Sequence, residues 1–202
     1  RILPGVLEEL DQGGVDRGDV TVVVALGLHR PMTGDEVALR TGATDLTGLA
    51  WENHDCDAVD SLVTLGTTQR ESPVQIQRTV AQADLIVSIG CIEPHIIASF
   101  GGGYKNIVPG CAARVTIAHN HSLNATPATF NMVGQPIKDN PMRQDLEEAV
   151  QMLDVPVFLV NTVLDANLNI VRIVTGDPIQ AHRTGCEASA ELFGVPVERP
   201  AD

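Results

Sequence analysis

The chain of 202 residues has the length of one domain of ordinary size and can bury a substantial apolar core. Its formal net charge of −13 argues against nucleic acid or an anionic membrane surface as a partner. Apolar residues make up 44% of the chain but aromatic residues only 3%, so Val, Ile, Leu and Ala must form the core, as in a parallel sheet covered by helices.

The sequence shows no membrane or export signal. No apolar run reaches the roughly 18 residues that a membrane-spanning helix needs, and no basic segment precedes an apolar one as in a secretory signal. The four cysteines are widely spaced and form neither a C-x-x-C motif nor a zinc-ligand pattern. We therefore expect reduced thiols and a cytoplasmic protein. The chain begins at Arg1 inside a helical pattern, which predicts that it is a piece of a longer protein.

Helical and strand patterns alternate in the first half of the chain. Apolar residues on one face predict an opening helix from Ile2 to Leu10, and a near-continuous apolar run predicts a central parallel strand over 20–26. Thr33 followed by Glu36 is the signature of a capping box, which predicts a helix that Gly42 ends. The shorter elements predicted before residue 84 are strands over 61–65 and 74–76 and a helical turn over 79–82.

The second half carries longer elements. We predict a buried strand over 84–90, a helix that opens at Asn140-Pro141, and an antiparallel hairpin made of strands 157–160 and 170–174. Strands of this kind between helices favour an α/β fold, with helices on both faces of a parallel sheet and a C-terminal β-hairpin. The remaining segments are an apolar stretch at 115–117, a loop over 124–139, a helix from Gly176-Asp177-Pro178 to near Gly194, and a linker over 196–202.

A glycine-rich loop follows the strand over 84–90. Gly101, Gly102 and Gly103 permit positive φ and close approach to the backbone, so exposed N–H groups of this loop can form an anion site. Lys105 at its rim can act as a point charge for a phosphate or, with a perturbed pKa, as a nucleophile that binds a cofactor covalently. The loop is not a P-loop, because Asn106 follows the lysine where a P-loop has Ser or Thr. A solvated lysine on a surface turn is the alternative interpretation.

Histidines follow two of the predicted strands. His29 lies just past the first central strand and His95 just past the buried strand over 84–90, at the sheet edge where open α/β folds bind ligands. We therefore expect both in one crevice. His119 and His121 would share a face on a strand but not on a helix. One metal ligand is expected from this pair, and the spacing does not name the metal.

Two further polar residues have competing interpretations. His54 lies in a polar loop and is expected to be a surface or capping group. Arg30 follows His29 and can pair with a carboxylate or a phosphate, or it can be an ordinary surface arginine. A zinc or nickel hydrolase using His119 and His121 is a further alternative, but no carboxylate stands at an evident spacing to complete such a site.

Taken in chain order, these motifs resemble the nickel-pincer lactate racemase family, over nearly the whole chain. The motifs that carry the resemblance are Ala25-Leu26-Gly27-Leu28-His29-Arg30, Asn53-His54-Asp55, Pro94-His95, Gly102-Gly103-Tyr104-Lys105, Pro109-Gly110, Asn120-His121, Asn140-Pro141-Met142-Arg143, and Gly176-Asp177 with Ala181-His182.

The resemblance implies a role for each candidate residue. Lys105 matches the lysine that holds pyridinium-3,5-bisthiocarboxylic acid mononucleotide, the nickel-pincer nucleotide, through a thioamide. His121 matches the histidine that completes the nickel coordination. His29 and His95 match two alternate general bases that flank a 2-hydroxy acid. The residue types themselves, and not the resemblance, add the loop Gly101–Gly103 and Arg30 as expected cofactor contacts.

The resemblance also implies an organisation for the whole protein. Residues 1–202 would form most of an N-terminal cofactor-binding and catalytic domain with a Rossmann-like sheet, followed by a separate C-terminal domain. The implied partners are a small 2-hydroxy acid, cofactor-biosynthesis enzymes and that C-terminal domain. The alternative is a non-catalytic nucleotide- or metabolite-binding domain, in which His29, His95, Lys105 and His121 would not need to converge.

Overall fold

A computed structural model describes residues 2–42 and 48–196. The α-helices described are α1 (Leu3–Gln12), α2 (Gly34–Thr41), α3 (Arg78–Ala81), α4 (Arg114–Ser122), α5 (Pro141–Gln151) and α6 (Pro178–Phe193). The strands described are β1 (Thr21–Val24), β2 (Ala50–Asn53), β3 (Leu62–Thr67), β4 (Pro73–Gln77), β5 (Ile86–Ile92), β6 (Pro94–His95), β7 (Ser99–Phe100), β8 (Val157–Leu164) and β9 (Ile170–Gly176). Among the described residues, no helix combines the length and the apolar character needed to cross a membrane.

The strands pair in both directions, which makes the architecture α/β as predicted. β1 pairs with β2 in parallel. In a three-stranded sheet of order β5-β8-β9, β5 and β8 run parallel, and β8 and β9 form the predicted C-terminal antiparallel hairpin. The pairs β3–β4 and β6–β7 are antiparallel. The linker predicted over 196–202 lies outside the described residues from position 197 onward.

Helices cover both faces of β5. Ile89 packs against the cluster formed by Leu3 and Leu7 of α1. Ile92, three positions further along the strand, is fully buried in the cluster that contains Ala181 of α6. Because side chains alternate between the two faces of a strand, these two isoleucines point to opposite sides. The predicted arrangement of helices on both faces is therefore confirmed at this strand.

The helix ends follow their local sequence. The Thr33 hydroxyl accepts a hydrogen bond from the Glu36 N–H, and the Glu36 carboxylate accepts one from the Thr33 N–H, so the predicted capping box is present. Gly42 ends α2 with a φ of 71°, a left-handed conformation that favours glycine. Asn140 and Asp177 are the N-caps of α5 and α6, and their side chains accept hydrogen bonds from the first turns.

One polar residue is placed differently from the prediction. His54 is 2% exposed, so its expectation as a surface or capping group is wrong. Its Nδ1 lies 2.8 Å from Oε1 of Gln77, and its Nε2 lies 2.9 Å from the carbonyl oxygen of Ala112. His54 follows a strand, β2, that the sequence analysis did not predict. Its hydrogen-bond partners, Gln77 and Ala112, are 23 and 58 residues away in the sequence, so the sequence around His54 does not reveal that it is buried.

Candidate active site

The glycine loop is buried, in contrast to the predicted exposed turn. The N–H of Gly101 donates to the carbonyl of Glu93 at 2.7 Å, and the N–H of Gly103 donates to Oδ1 of Asn161 at 2.7 Å. The expectation that these amides are free to bind an anion is therefore wrong at both positions. The assignment of the loop to the cofactor site stays a prediction.

Close packing explains why the loop needs glycine. Gly102 and Gly103 have φ values of 70° and 63°, which side chains rarely adopt. A Cβ on Gly102 would lie 2.5 Å from Oδ1 of Asn161, and one on Gly103 would lie 2.9 Å from the ring of His182. The loop thus passes between Asn161 and His182 only because it lacks side chains there.

Lys105 stands on a 3₁₀ turn, Gly103–Asn106, directly after this loop. The residue is half-buried, so the interpretation as a solvated surface lysine is wrong. Burial and, after it, the charge of Arg143 lower the pKa of Lys105 to about 8, and Glu93 opposes the shift. A lysine with such a pKa is neutral, and hence nucleophilic, in a much larger fraction of molecules at neutral pH than an ordinary lysine.

His95 is half-buried in β6. Burial, followed by the charges of Lys105, His121 and Arg143, lowers its pKa to about 4, so the ring is neutral at pH 7. Its Nδ1 accepts the N–H groups of Ile97 at 3.3 Å and Ala98 at 3.2 Å. These donors assign the ring proton to Nε2. Accepting a proton at Nε2 would require the other tautomer and the loss of both backbone contacts.

His121 lies on α4, which settles the geometry of the two neighbouring histidines. On a helix they point to different sides, and Nε2 of His119 lies 2.8 Å from the carbonyl oxygen of Arg70. The Nδ1 atom of His121 is buried and makes no hydrogen bond of normal geometry among the described residues, although the backbone of Ile117 acts on the ring and opposes the lowering of its pKa. Burial and the charge of Lys105 lower the pKa of His121. The hydrolase alternative, which needs both histidines on one face, is therefore wrong.

His29 is exposed on the turn after β1. The turn is fixed against the segment that follows Lys105, because the N–H of Gly27 donates to the carbonyl of Gly110 at 2.9 Å. The N–H of Gly110 in turn donates to the carbonyl of Lys105 at 2.9 Å. The backbone thus brings the His29 turn to the Lys105 segment, while the electrostatic coupling already described joins His95, Lys105 and His121 to one another.

Arg30 forms an ion pair within its own segment. Its guanidinium donates to both carboxylate oxygens of Glu36, at 2.6 and 2.9 Å, and its side chain is 71% exposed. This pair holds the pKa of Glu36 down, at about 2. The guanidinium that was a candidate for phosphate or carboxylate binding is therefore already engaged in this structure, and its role toward a cofactor stays a prediction.

Three buried polar residues beneath the loop received no role from the sequence. They are Asn161 on β8, Arg143 on α5 and His182 on α6, all at most 1% exposed. Arg143 and His182 occur in the motifs that carry the resemblance, but a sequence motif does not show which of its members is buried. A positive residue next to the apolar residues Met142 and Leu146 of α5 was the available signal.

A cavity of about 200 Å³ lies away from these residues. Its lining is polar and charged: Glu52, Asn53, Asp55, Ala58, Asp60, Ser61, Gln77, Arg78 and Thr79. Among the described residues, the cluster with the spacing of a metal site is Asp55, Cys56 and Asp57, next to this cavity. Asp57 is already paired with Arg114 at 2.7 Å. Exposed acidic groups of this kind are common without a metal, so we assign no function to them.

Comparison with known proteins points to one family. Residues 1–131 match the family model described as the lactate racemase N-terminal domain. The chain is 30% identical over 200 residues to a lactate racemase of Thermoanaerobacterium thermosaccharolyticum, a match that covers 99% of this chain and 46% of that protein. It is 33% identical over 181 residues to a lactate racemase of Lactiplantibacillus plantarum, covering 88% of this chain and 41% of that one.

Solved structures show the same relationship. The apoprotein of the lactate racemase from T. thermosaccharolyticum superposes with a TM-score of 0.84 at 30% identity, over 94% of this chain and 45% of that one. A protein from Thermotoga maritima superposes with a TM-score of 0.80 at 22% identity, over 98% of this chain and 52% of that one, which is evidence for the fold alone. The chain spans less than half the length of the curated relatives it matches.

Proposed function

The chain belongs to the lactate racemase family, and we propose that it is the cofactor-binding and catalytic part of a nickel-dependent 2-hydroxyacid racemase or epimerase. Two relatives in the family carry the name lactate racemase, which makes a small 2-hydroxy acid the proposed substrate class. The observation that carries the proposal is the coupling of His95, Lys105 and His121: burial lowers the pKa of all three, and the charge of Lys105 lowers the pKa of His95 and of His121 further. Such perturbed groups cluster at functional sites.

Lys105 is the proposed point of covalent attachment. Attachment needs a neutral amine, and the lowered pKa of this half-buried lysine supplies one. The turn Gly103–Asn106 that carries it is held by buried contacts on the loop side and by Gly110 on the other. A fixed backbone limits the positions of a tethered group, which is what orientation of a cofactor requires.

His121 is the proposed nickel ligand. An imidazole nitrogen that is buried without a hydrogen-bond partner is costly, and coordination of a metal would satisfy it. Neutral imidazole suits nickel, and the lowered pKa of His121 keeps the ring neutral. The donor atoms of His121 and Lys105 therefore fit the nickel-pincer nucleotide that the family resemblance implies.

His29 and His95 are the proposed acid–base groups on the two sides of the substrate. The nickel-pincer nucleotide would supply, when bound, the hydride-acceptor chemistry that no side chain provides. The chain itself must remove and restore the proton of the substrate hydroxyl, and two histidines allow this from either side. With its proton on Nε2, His95 first acts as a hydrogen-bond donor to the substrate oxygen. It becomes a base only after a change of tautomer.

The test is intact-mass spectrometry with metal analysis on the full-length protein, co-expressed with enzymes that build the cofactor. We expect a mass increase that maps to Lys105 and about one nickel per chain. Lys138, the other lysine of the sequence, is exposed and gives the matched control. Lys105→Ala should abolish loading, and Lys138→Ala should leave it unchanged.

Other results would change the proposed function or the residues assigned to it. Loading that persists in Lys105→Ala would remove this lysine from the tether. An unmodified wild-type chain without nickel, from cells that load a related racemase, would favour the non-catalytic binding domain. His29→Ala and His95→Ala should retain cofactor and nickel but lose interconversion of enantiomers, and full activity in either variant would exclude that histidine from the reaction.

A further inference from the structure

The largest fully buried side chain of the described residues is a cation. Arg143, on the first turn of α5, has an exposure of 0%. Burial lowers its pKa to about 10, so it keeps its charge at neutral pH. A buried charge is expensive unless it is paired and hydrogen-bonded, so its contacts should reveal why the fold retains it.

Its contacts converge on the glycine loop. Nη2 of Arg143 donates to the carbonyls of Phe100 at 2.9 Å and Gly101 at 3.2 Å. Nη1 and Nη2 both lie within donating distance of the carbonyl of Gly102, at 3.1 and 3.2 Å. One planar guanidinium thus holds three successive carbonyls, a geometry that a lysine ammonium does not reproduce. The carbonyl of Gly102 is also the acceptor for the N–H of Lys105.

Within the part of the chain that the structure describes, this guanidinium has no close carboxylate partner. The nearest acid in an ion pair with it is Glu147, whose Oε1 lies 3.9 Å from Nε of Arg143. Both oxygens of Glu147 are taken by Arg183, at 2.9 and 2.7 Å. Nη2 of Arg143 lies 2.5 Å from Nε2 of His182, whose pKa is lowered to about 2, first by burial and then by Arg143. The positive charge of Arg143 therefore acts on the glycine loop and on Lys105, which follows the loop.

We propose that Arg143 is the positioning residue for Lys105, holding the glycine loop so that the lysine amine is presented beside His95 and His121. The inference rests on the proposed function, which makes Lys105 the point of attachment. Three carbonyl contacts fix the approach of the chain to the turn Gly103–Asn106.

The charges around Lys105 support this role. The groups that act on it are Arg143 from α5, which favours the neutral amine, and Glu93 from the end of β5, which favours the charged amine. His95 from β6 and His121 from α4 are neutral at pH 7, since the pKa of each is lowered. Arg143 is therefore the positive group that keeps Lys105 reactive, in addition to burial.

The experiment measures the reactivity of Lys105 in the chain without cofactor. An N-hydroxysuccinimide ester is applied at a series of pH values, and peptide mass spectrometry compares acylation of Lys105 with that of exposed Lys138. Two variants separate charge from geometry. Arg143→Gln removes the charge and keeps two N–H donors, and Arg143→Lys keeps the charge but loses the planar, forked arrangement of N–H donors.

The proposal predicts different outcomes for the two variants. In the wild type the midpoint for Lys105 acylation should lie near pH 8. Arg143→Gln should raise this midpoint by about one pH unit. It should also lower the ratio of Lys105 acylation to Lys138 acylation at pH 7.5 about tenfold. Arg143→Lys should keep the low midpoint but reduce the rate severalfold, because the loop is no longer held. Both variants keeping the wild-type midpoint and ratio would overturn the proposal.

A third variant keeps the test decisive if a substitution of Arg143 prevents folding. Glu93→Gln leaves every carbonyl contact of Arg143 in place and removes the negative charge that opposes Arg143 at Lys105. The midpoint for Lys105 should then move below that of the wild type, and an unchanged midpoint would refute the argument that charges held beside this loop set the reactivity of Lys105. Because no cofactor or turnover is involved, failure here leaves the loading experiment untouched, and failure of loading leaves this result intact.

Discussion

Asp145→Ala should destabilise the fold by about 3 kcal/mol, because its buried carboxylate joins three separate segments. The carboxylate accepts hydrogen bonds from the hydroxyls of Thr68 at 2.6 Å and Ser72 at 2.7 Å, in the β3–β4 connection. It also accepts the side-chain N–H of Asn120 at 2.8 Å. Asn120 precedes His121 on α4, so the same carboxylate helps to fix the helix that carries the proposed metal ligand.

The magnitude follows from these contacts. Each of the three hydrogen bonds contributes about 1 kcal/mol net, which gives about 3 kcal/mol for their joint loss. The side chain of Asn120 still donates to the carbonyl of Met142, whereas the Thr68 hydroxyl still accepts the N–H of Ser72 but loses the acceptor for its own proton. The Ser72 hydroxyl loses its acceptor, which raises the upper bound to about 5 kcal/mol. For a chain of this length, 3 kcal/mol corresponds to a fall in Tm of about 6–12 °C.

The assay is urea unfolding followed by circular dichroism, with the free energy of unfolding extrapolated to water. Asp145→Asn is the matched control: it keeps the shape and one acceptor oxygen, and it should cost only about 1 kcal/mol, because the hydroxyls can turn to accept from the new amide. A loss below about 1 kcal/mol in Asp145→Ala would refute the argument that this carboxylate ties α5 to α4 and to the β3–β4 connection.

Three further predictions concern pH, the loop and the metal ligand. The pKa of His182 is about 2 in the folded state but about 6.5 in the unfolded chain, so below pH 6.5 the unfolded chain binds more protons than the folded one. The Tm should therefore fall as the pH is lowered from 7 to 4. In His182→Gln this fall in Tm should be smaller. A constant Tm over that window would contradict the shift. Gly103→Ala should lower the free energy of unfolding, measured in urea, by about 2–3 kcal/mol, because Gly103 has a φ of 63° and a new Cβ would lie 2.9 Å from the ring of His182. Gly5→Ala, in an uncrowded helical position, should raise the free energy of unfolding by about 0.5–1 kcal/mol. Equal effects at the two glycines would exclude the packing argument. His121→Ala should lose nickel in metal analysis of the loaded protein and His119→Ala should retain it; the reverse would assign the ligand to His119.

Elements with short-range causes were predictable. The capping box of α2 depends on Thr33 and Glu36, three residues apart, and its hydrogen bonds form as the sequence predicts. The hairpin of β8 and β9 likewise depends on a nearby turn at Asp165, whose side chain accepts the N–H groups of Asn167 and Asn169. Local hydrogen bonds of this kind compete well with water because few residues must be ordered to form them.

The candidate site was predictable only in part. His95, Lys105 and His121 were named from the sequence, and the structure couples their charges. The sequence does not reveal their burial: it predicts Lys105 on the rim of an exposed loop, whereas the lowered pKa of Lys105 depends on desolvation by distant segments. The same limit applies to His54, whose neighbours in sequence are polar although its neighbours in space enclose it.

The sequence by itself determined the order of the main elements, the α/β class, the family and the residue types available for chemistry. Only the tertiary structure decided which of those residues are buried and what each contacts. Arg143 illustrates the difference, since it meets the carbonyl of Gly102 across 41 residues, and His182 meets that of Gly101 across 81. Desolvation and charge coupling arise from such distant pairs, so their effect on Lys105 exists only once the chain has packed.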